Sequence, residues 1–342
     1  MKALVLYNVN SPFSYEVVPD PIPIEGEAVA KVLACGAGLT IQHVKAGRTK
    51  VDFPIIIGHE ITAEIVECRG DCGDLKVGMP VTAFFYLTCG YCGWCRTDRE
   101  TLCTNFNGYI GRQINGGYAE YISLPAKNFI PIPENLDYKN NPVETAVICD
   151  AIATPLKVMK KARINSFDKV AVVGAGGGLG IHMIKMLNLN NINSIAIETK
   201  NNKKQTCLSE GASLYLNPNK NDFDEAVMDF TKNNGLDVVI DFVSSKQSLE
   251  MSANMLGNGG RLVTLGGSGD RFEVDSSQML IKELELIGSK YCTKQDVMDS
   301  LNLVSRGLIK PLVTEKVTPI NAEKLHEKIE NGDVIGRAGI IF

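Results

Sequence analysis

The chain has 342 residues, which suggests about two domains and is ample for a large hydrophobic core. Hydrophobic residues make up 44% and charged residues 22%, a composition that is typical of a folded globular protein and excludes intrinsic disorder. With 35 basic and 39 acidic residues, the net charge of -4 argues against nucleic acid or an anionic membrane as the main partner.

The N-terminal sequence has neither the long apolar stretch nor the small-residue cleavage site of a signal peptide. No apolar stretch in the chain approaches the ~18 residues of a membrane-spanning helix. We therefore predict a cytoplasmic protein, in which cysteines stay reduced rather than forming disulfides.

The N-terminal part of the chain is predicted to be rich in strands. Short runs of β-type residues, such as AVAKVLA, ITAEIVE, PVTAFFY and YAEYISL, alternate with glycine, proline and asparagine turns. We assign residues 1–150 to this β-rich domain.

Four of the ten cysteines lie within one short segment of this domain, and their close spacing is typical of a zinc site. Four thiolates fill the tetrahedral coordination of zinc and leave no open position for a substrate. The segment therefore predicts a structural zinc, with free buried thiols as the alternative. The four cysteines are Cys89, Cys92, Cys95 and Cys103.

The pattern changes in residues 151–290, where apolar strand runs such as KVAVVG, NSIAIE and LDVVID alternate with helix-like stretches. This alternation predicts a parallel sheet covered by helices on both faces. Residues 291–342 are predicted to contain helices around 294–306 and 321–330 and a final strand in GRAGIIF.

The run KVAVVGAGGGLGIHMIKML is predicted to form a buried strand, a tight glycine turn and a helix. Such a turn lets the backbone and the helix N-terminus hold a pyrophosphate. Glu198 ends the next strand, where a carboxylate binds both adenosine ribose hydroxyls and repels a 2′-phosphate, which favours NAD over NADP. Lys203 lies close enough in the sequence for its positive charge to reduce that preference for NAD. The glycines of the turn are Gly174, Gly176, Gly177, Gly178 and Gly180.

These motifs, in this order, resemble the medium-chain dehydrogenase/reductase superfamily and its zinc-containing alcohol dehydrogenase branch. The resemblance covers essentially the whole chain and includes Gly58-His59-Glu60, the run GGYAEY at 116–121 and the closing run GDVIGR at 332–337. It implies a GroES-like catalytic domain, completed by the C-terminal segment, with an inserted Rossmann domain. It also implies a small-molecule substrate, a homodimer or homotetramer, and cofactor binding that includes Lys203 and Arg337.

The resemblance leaves the catalytic zinc of this branch in question. His59 matches one ligand and Cys149 stands where the third ligand is expected, but Gly38 replaces the first ligand cysteine. Ile41 replaces the aspartate that orients the zinc-bound histidine, and the loss of such an outer partner weakens a site independently. His59, Glu60 and Cys149 still offer nitrogen, oxygen and sulfur, so a zinc held by an altered ligand set stays open.

The resemblance implies that Thr40 hydrogen-bonds the substrate oxygen and starts a proton relay, through the cofactor ribose, to His43. Thr40 and His43 favour an NAD-linked alcohol dehydrogenase or carbonyl reductase. The losses at Gly38 and Ile41 favour two alternatives instead. One is a zinc-independent reductase of an activated acceptor, such as a conjugated alkene, an iminium or a quinone, and the other is a catalytically silent nucleotide-binding relative.

Overall fold

The computed structural model describes residues 1–266 and 269–342, and the chain divides into two units. The first unit consists of Met1–Ala153 and Cys292–Phe342, and the second of Thr154–Tyr291. The chain therefore leaves the first unit once and returns to it for its last fifty residues or so.

The N-terminal part of the first unit is built mainly from strands. Its elements are β1 (Lys2–Leu6), β2 (Ser14–Val17), β3 (Glu27–Ala37), α1 (Leu39–Lys45), β4 (Ile55–Ile56), β5 (Ile61–Arg69), β6 (Pro80–Ala83), β7 (Tyr121–Pro125), β8 (Phe129–Pro131) and α2 (Pro142–Ala146). A single π-helical turn, Ile148–Ile152, follows α2. Turns of this kind are rare and occur frequently at functional sites.

The second unit alternates strands and helices. Its elements begin with α3 (Ala153–Ala162), which starts at the unit boundary, and continue with β9 (Val170–Val173), α4 (Gly178–Leu189), β10 (Ser194–Ile197), α5 (Lys204–Ser209), β11 (Leu214–Leu216), α6 (Phe223–Thr231), β12 (Leu236–Asp241), α7 (Lys246–Asn254), β13 (Leu256–Thr264), α8 (Ser276–Lys282) and β14 (Glu285–Gly288). All six strands are parallel, in the order β11-β10-β9-β12-β13-β14. Every residue of β9 and β10 is buried, because helices cover both faces of such a sheet.

The C-terminal segment completes the large sheet of the first unit. Its elements are α9 (Lys294–Ser305), β15 (Val313–Val317), α10 (Ala322–Glu330) and β16 (Arg337–Ile341). The sheet order is β15-β16-β3-β5-β6-β8, with β7 also paired to β3, while β2-β1-β4 form a separate small sheet. In the antiparallel pairing of β16 with β3, Ala338 lies opposite Ala37. This register brings Arg337 beside the start of α1.

The predicted fold class, a β-rich domain with a doubly wound parallel-sheet domain, is confirmed. The strand order of the second unit is that of a dinucleotide-binding sheet, in which the order reverses between β9 and β12. Among the described residues, no helix is both long enough and apolar enough to cross a membrane.

Candidate functional site

The four clustered cysteines bring their sulfur atoms together in one loop of the first unit. The Sγ–Sγ distances are 3.9 Å for Cys89–Cys95, 3.5 Å for Cys92–Cys95, 3.9 Å for Cys92–Cys103 and 3.5 Å for Cys89–Cys103. A tetrahedral zinc with Zn–S bonds of ~2.3 Å requires Sγ–Sγ distances of about 3.8 Å. These thiols therefore fit a closed zinc site. No sulfur is fully exposed or deeply buried.

The glycine turn of the second unit joins the buried strand β9 to helix α4. Gly174 adopts a φ of +77, which favours glycine, and a Cβ at Gly180 would lie only 2.2 Å from the Gly174 carbonyl oxygen. The close packing of turn against helix therefore requires glycine at both positions. The N-terminus of α4 follows directly, with Gly177 as its N-cap. The turn fits a dinucleotide pyrophosphate.

Glu198 lies at the end of β10 and its carboxylate turns back over the glycine turn. It accepts hydrogen bonds from the backbone N–H groups of Gly176 at 3.2 Å and Lys200 at 3.1 Å. Lys203 is buried, with its Nζ 3.9 Å from Glu198 Oε2. Lys203, whose positive charge could attract a 2′-phosphate, is thus paired with Glu198, whose negative charge would repel one.

Thr40 and His43 lie three residues apart on helix α1, so they share one face of that helix. Both side chains are half-buried. Burial, followed by the positive charge of Arg48, lowers the pKa of His43, while Glu330 opposes the shift. The imidazole of His43 is therefore neutral at physiological pH and can accept a proton.

Helix α1 and the residue Arg48 that follows it are linked to helix α10 by polar pairs, of which only Arg48–Glu330 is exposed. His326 Nδ1 donates to Gln42 Oε1 at 2.7 Å, and its Nε2 accepts a hydrogen bond from the Tyr118 hydroxyl at 2.9 Å. Nearby, Lys45 Nζ lies 2.8 Å from Glu323 and Arg48 forms a bidentate pair with Glu330 at 2.6 Å. These pairs fix the helix that presents Thr40 and His43.

A second cluster of potential metal ligands lies in the first unit, where His59, Glu60 and Asp150 each place one donor atom within 4.8 Å of the others. All three residues are buried. Burial lowers the pKa of His59 to about 3, and the imidazole is therefore neutral. Burial also raises the pKa of Glu60, an effect that Arg337 opposes and Asp150 reinforces.

The cation that faces this cluster is the guanidinium of Arg337. Its Nη2 lies 3.0 Å from Glu60 Oε1 and donates to Asp150 Oδ2 at 2.6 Å. Arg337 is itself 6% exposed. The carboxylates and the guanidinium thus form a buried ion cluster, which is stable only when its charges are paired.

Two glycines make room for this cluster. A Cβ at position 38 would lie 2.0 Å from Arg337 Nη1, and a Cβ at position 36 would lie 2.0 Å from Glu60 Oε2. Gly38 has ordinary extended backbone angles, φ -144 and ψ 175, so space rather than backbone conformation excludes a side chain. The guanidinium occupies the place where the side chain of a cysteine at position 38 would begin.

The residues at this cluster do not supply the full ligand set of a catalytic zinc. The first ligand is absent, Arg337 engages one oxygen of each carboxylate, and a fixed guanidinium repels a divalent cation close by, although Glu60 Oε2 is left without a hydrogen-bond partner. In the sequence, Gly38 and Ile41 place a catalytic zinc in question. The position of Arg337 adds a physical reason.

The structure brings together some of the predicted site residues but not all. His59 and Glu60 meet, whereas the third member is Asp150 rather than its neighbour Cys149. Cys149 is buried, its thiol donates to the Ala146 carbonyl oxygen at 3.3 Å, and burial raises its pKa to about 12. Arg337, expected to bind the cofactor, pairs with the carboxylates of Glu60 and Asp150, and its role in cofactor binding stays a prediction.

Comparison with known proteins places the whole chain in one family. A family model for the alcohol dehydrogenase GroES-like domain matches residues 24–134, and one for zinc-binding dehydrogenase matches residues 178–306. An alcohol dehydrogenase of Geobacillus stearothermophilus is 31% identical over 342 residues, covering 98% of each chain. The chain belongs to the zinc-containing alcohol dehydrogenase family. The resemblance noted from the sequence is confirmed.

Other relatives of this family agree along the full length. An NAD-dependent alcohol dehydrogenase of Sulfurisphaera tokodaii is 25% identical, with 100% of both chains covered. The crystal structure of the alcohol dehydrogenase of Aeropyrum pernix is similar with a TM-score of 0.92 and 26% identity, again over 100% of both chains. These relatives do not favour an alkene, iminium or quinone reductase, nor a silent relative.

Proposed function

We propose that this protein is an NAD-dependent oxidoreductase that transfers hydride between NAD(H) and an alcohol or carbonyl substrate. The observation that carries the proposal is the turn after β9, where glycines admit a pyrophosphate and Glu198 stands over Gly176. The full-length similarity to alcohol dehydrogenases supports the same reaction.

The residues of the chain have separate tasks in this reaction. When bound, NAD supplies the hydride acceptor for an alcohol, or in reduced form the donor for a carbonyl. Thr40 hydrogen-bonds the substrate oxygen, and the neutral imidazole of His43 accepts the proton released during alcohol oxidation. Gly174, Gly176, Gly177, Gly178 and Gly180 form the turn that holds the pyrophosphate, and Glu198 holds the adenosine ribose.

Metal has a structural rather than a catalytic task in this proposal. The cysteines of the loop at 89–103 hold one zinc, which contributes to folding. At the second cluster, Arg337 takes the place of a metal ion as the cation that balances Glu60 and Asp150. Polarisation of the substrate oxygen then depends on hydrogen bonding from Thr40 instead of a Lewis acid.

A test uses the purified protein with NAD and a panel of primary and secondary alcohols that includes hydroxy acids, with NADH formation followed by absorbance. Loss of the Thr40 hydroxyl in Thr40→Val should reduce kcat by about 100-fold or more without changing NADH affinity, whereas Thr40→Ser should retain most activity. Thr49→Val, at a nearby half-buried position, serves as the matched control. An absence of turnover with every alcohol and carbonyl tested would overturn the proposal.

We further propose that the protein is a cytoplasmic homodimer or homotetramer, as implied for its family. Light scattering coupled to size-exclusion chromatography measures the mass of the assembly against the 37.2 kDa chain. A mass equal to one chain at working concentration would contradict this expectation.

A further inference from the structure

A loop of the first unit brings a second arginine close to His59. The loop around residues 108–116 packs closely on Gly58, the residue before His59, as shown by a Cβ at Gly111, which would lie 2.9 Å from the Gly58 nitrogen. A Cβ at Gly116 would lie 2.1 Å from the Gly58 carbonyl oxygen. This close backbone packing fixes the loop, and with it Arg112.

Aromatic rings form a continuous surface between His59 and Arg112. The His59 and Phe85 rings are stacked with centroids 4.0 Å apart, and the Phe85 and Tyr109 ring centroids are 4.9 Å apart. The Arg112 guanidinium carbon lies 5.4 Å from the Phe85 centroid and 4.9 Å from that of Tyr109. Cation–π contacts of this kind hold a guanidinium in place while its N–H donors remain available.

Arg112 differs from the arginines and lysines around it in its lack of an acidic partner. Arg48 pairs with Glu330, Lys45 with Glu323 and Arg337 with Glu60 and Asp150. Among the residues that the structure describes, no carboxylate pairs with Arg112, although its side chain is half-buried. Its charge is near enough to lower the pKa of both His43 and His59.

We propose that Arg112 binds a carboxylate of the substrate, so that the protein acts on hydroxy acids or oxo acids rather than on simple alcohols and ketones. The proposal rests on the function proposed above and adds the substrate class. A guanidinium presents parallel N–H donors that match a carboxylate in a bidentate pair. A half-buried cation without a partner gains more from such a ligand than an exposed one would.

The kinetic test compares substrates of equal length with and without the acid group. Wild-type protein is assayed with 4-hydroxybutanoate and 1-butanol and with 6-hydroxyhexanoate and 1-hexanol, with NAD as oxidant. We expect kcat/KM to favour the hydroxy acid in at least one pair. Arg112→Gln should reduce that preference by about 10- to 100-fold, and Arg112→Lys should restore part of it.

The ratio of kcat/KM for the hydroxy acid to that for its matched alcohol separates substrate recognition from folding, because a folding defect lowers the activity on both substrates equally. Arg99→Gln is the matched control, since Arg99 also lies over an aromatic ring, Trp94, at 4.5 Å, and its exposed side chain lies in the cysteine loop. It should leave the ratio unchanged. Equal loss on both substrates in Arg112→Gln, or a wild-type preference for the alcohols in both pairs, would overturn the proposal.

A binding measurement distinguishes failure of this proposal from failure of the proposed function. Calorimetry measures hexanoate, hexanamide and hexyl phosphate against wild-type protein and Arg112→Gln. Hexanoate should bind more tightly than hexanamide, by a factor that Arg112→Gln removes, even if no alcohol is oxidised. Equal binding of hexanoate and hexanamide, or tighter binding of hexyl phosphate than of hexanoate, would contradict a carboxylate site.

Discussion

Gly38 and Arg337 lie against each other although they are almost 300 residues apart in the sequence. The guanidinium of Arg337 fills the space in which a side chain at position 38 would begin, with Nη1 2.0 Å from the site of a Cβ. The pairing of β16 with β3 brings them together, since Ala338 lies opposite Ala37. The absence of a side chain at position 38 therefore provides the space that the buried guanidinium of Arg337 occupies.

The first prediction concerns this contact. Gly38→Ala should lower the free energy of unfolding by about 1–3 kcal/mol, because the added methyl group must displace a guanidinium that is held by two carboxylates. Urea unfolding measures the change. Gly93→Ala is the control, since a Cβ there meets nothing within 4 Å. Equal stability of the two variants would show that the space at position 38 is not filled.

A second prediction concerns the choice of cofactor. Glu198→Gln removes the charge that repels a 2′-phosphate, so the preference for NADH over NADPH should fall by about 10-fold or more. Titration of the protein fluorescence with each cofactor measures both dissociation constants. Glu210→Gln, which removes a carboxylate paired with Lys185, should leave the ratio unchanged. An unchanged ratio in Glu198→Gln would exclude this carboxylate as the discriminating group.

The pH dependence of alcohol oxidation should report on His43. Burial and Arg48 lower its pKa, so the activity of the wild type should decline only below pH ~6.5, as the base becomes protonated. Arg48→Gln removes one nearby positive charge and releases Glu330, and both effects favour the protonated imidazole. The acid limb of kcat/KM should therefore move to higher pH. A limb that stays in place, or that persists in His43→Gln, would assign it to another group.

Protein stability at acid pH should depend on His326. Burial lowers the pKa of His326 to about 3, so the unfolded chain binds this proton more readily than the folded one. Stability should fall as the pH drops from ~6.5 toward 3, by at most ~1.4 kcal/mol per pH unit from this group. Thermal unfolding across this range should show a shallower slope for His326→Gln. His59 contributes with the same sign, so part of the slope should remain.

The sequence predicted those helices and loops whose residues lie close together along the chain. The helices expected around 294–306 and 321–330 are found at Lys294–Ser305 and Ala322–Glu330, because their apolar periodicity is contained within each segment. The spacing of the four clustered cysteines similarly needs only one loop to bring the sulfur atoms together. Such features can be read from a single sequence.

The composition of the second cluster could not be read in this way. Asp150, rather than Cys149, joins the cluster, and both residues lie in the π-helical turn Ile148–Ile152, whose geometry departs from that of a regular helix. Arg337 is brought to the site by the pairing of two strands that are far apart in the sequence. Arg112 is brought there by the packing of its loop on Gly58. None of these relationships leaves a periodic pattern in the sequence.

The zinc content of the purified protein, measured by mass spectrometry of the metal and normalised to chain concentration, tests the arrangement around Arg337 most directly. We expect one zinc per chain in the wild type, none in Cys95→Ser, and one in the control Cys68→Ser, whose thiol lies outside the cluster. Gly38→Cys should still hold one, because Arg337 blocks the site, and the double variant Gly38→Cys/Arg337→Ser should approach two. NADH binding, which depends on residues of the second unit, serves as the check on folding. Two zinc ions per wild-type chain, with one lost in Asp150→Asn, would contradict the replacement of the metal by Arg337.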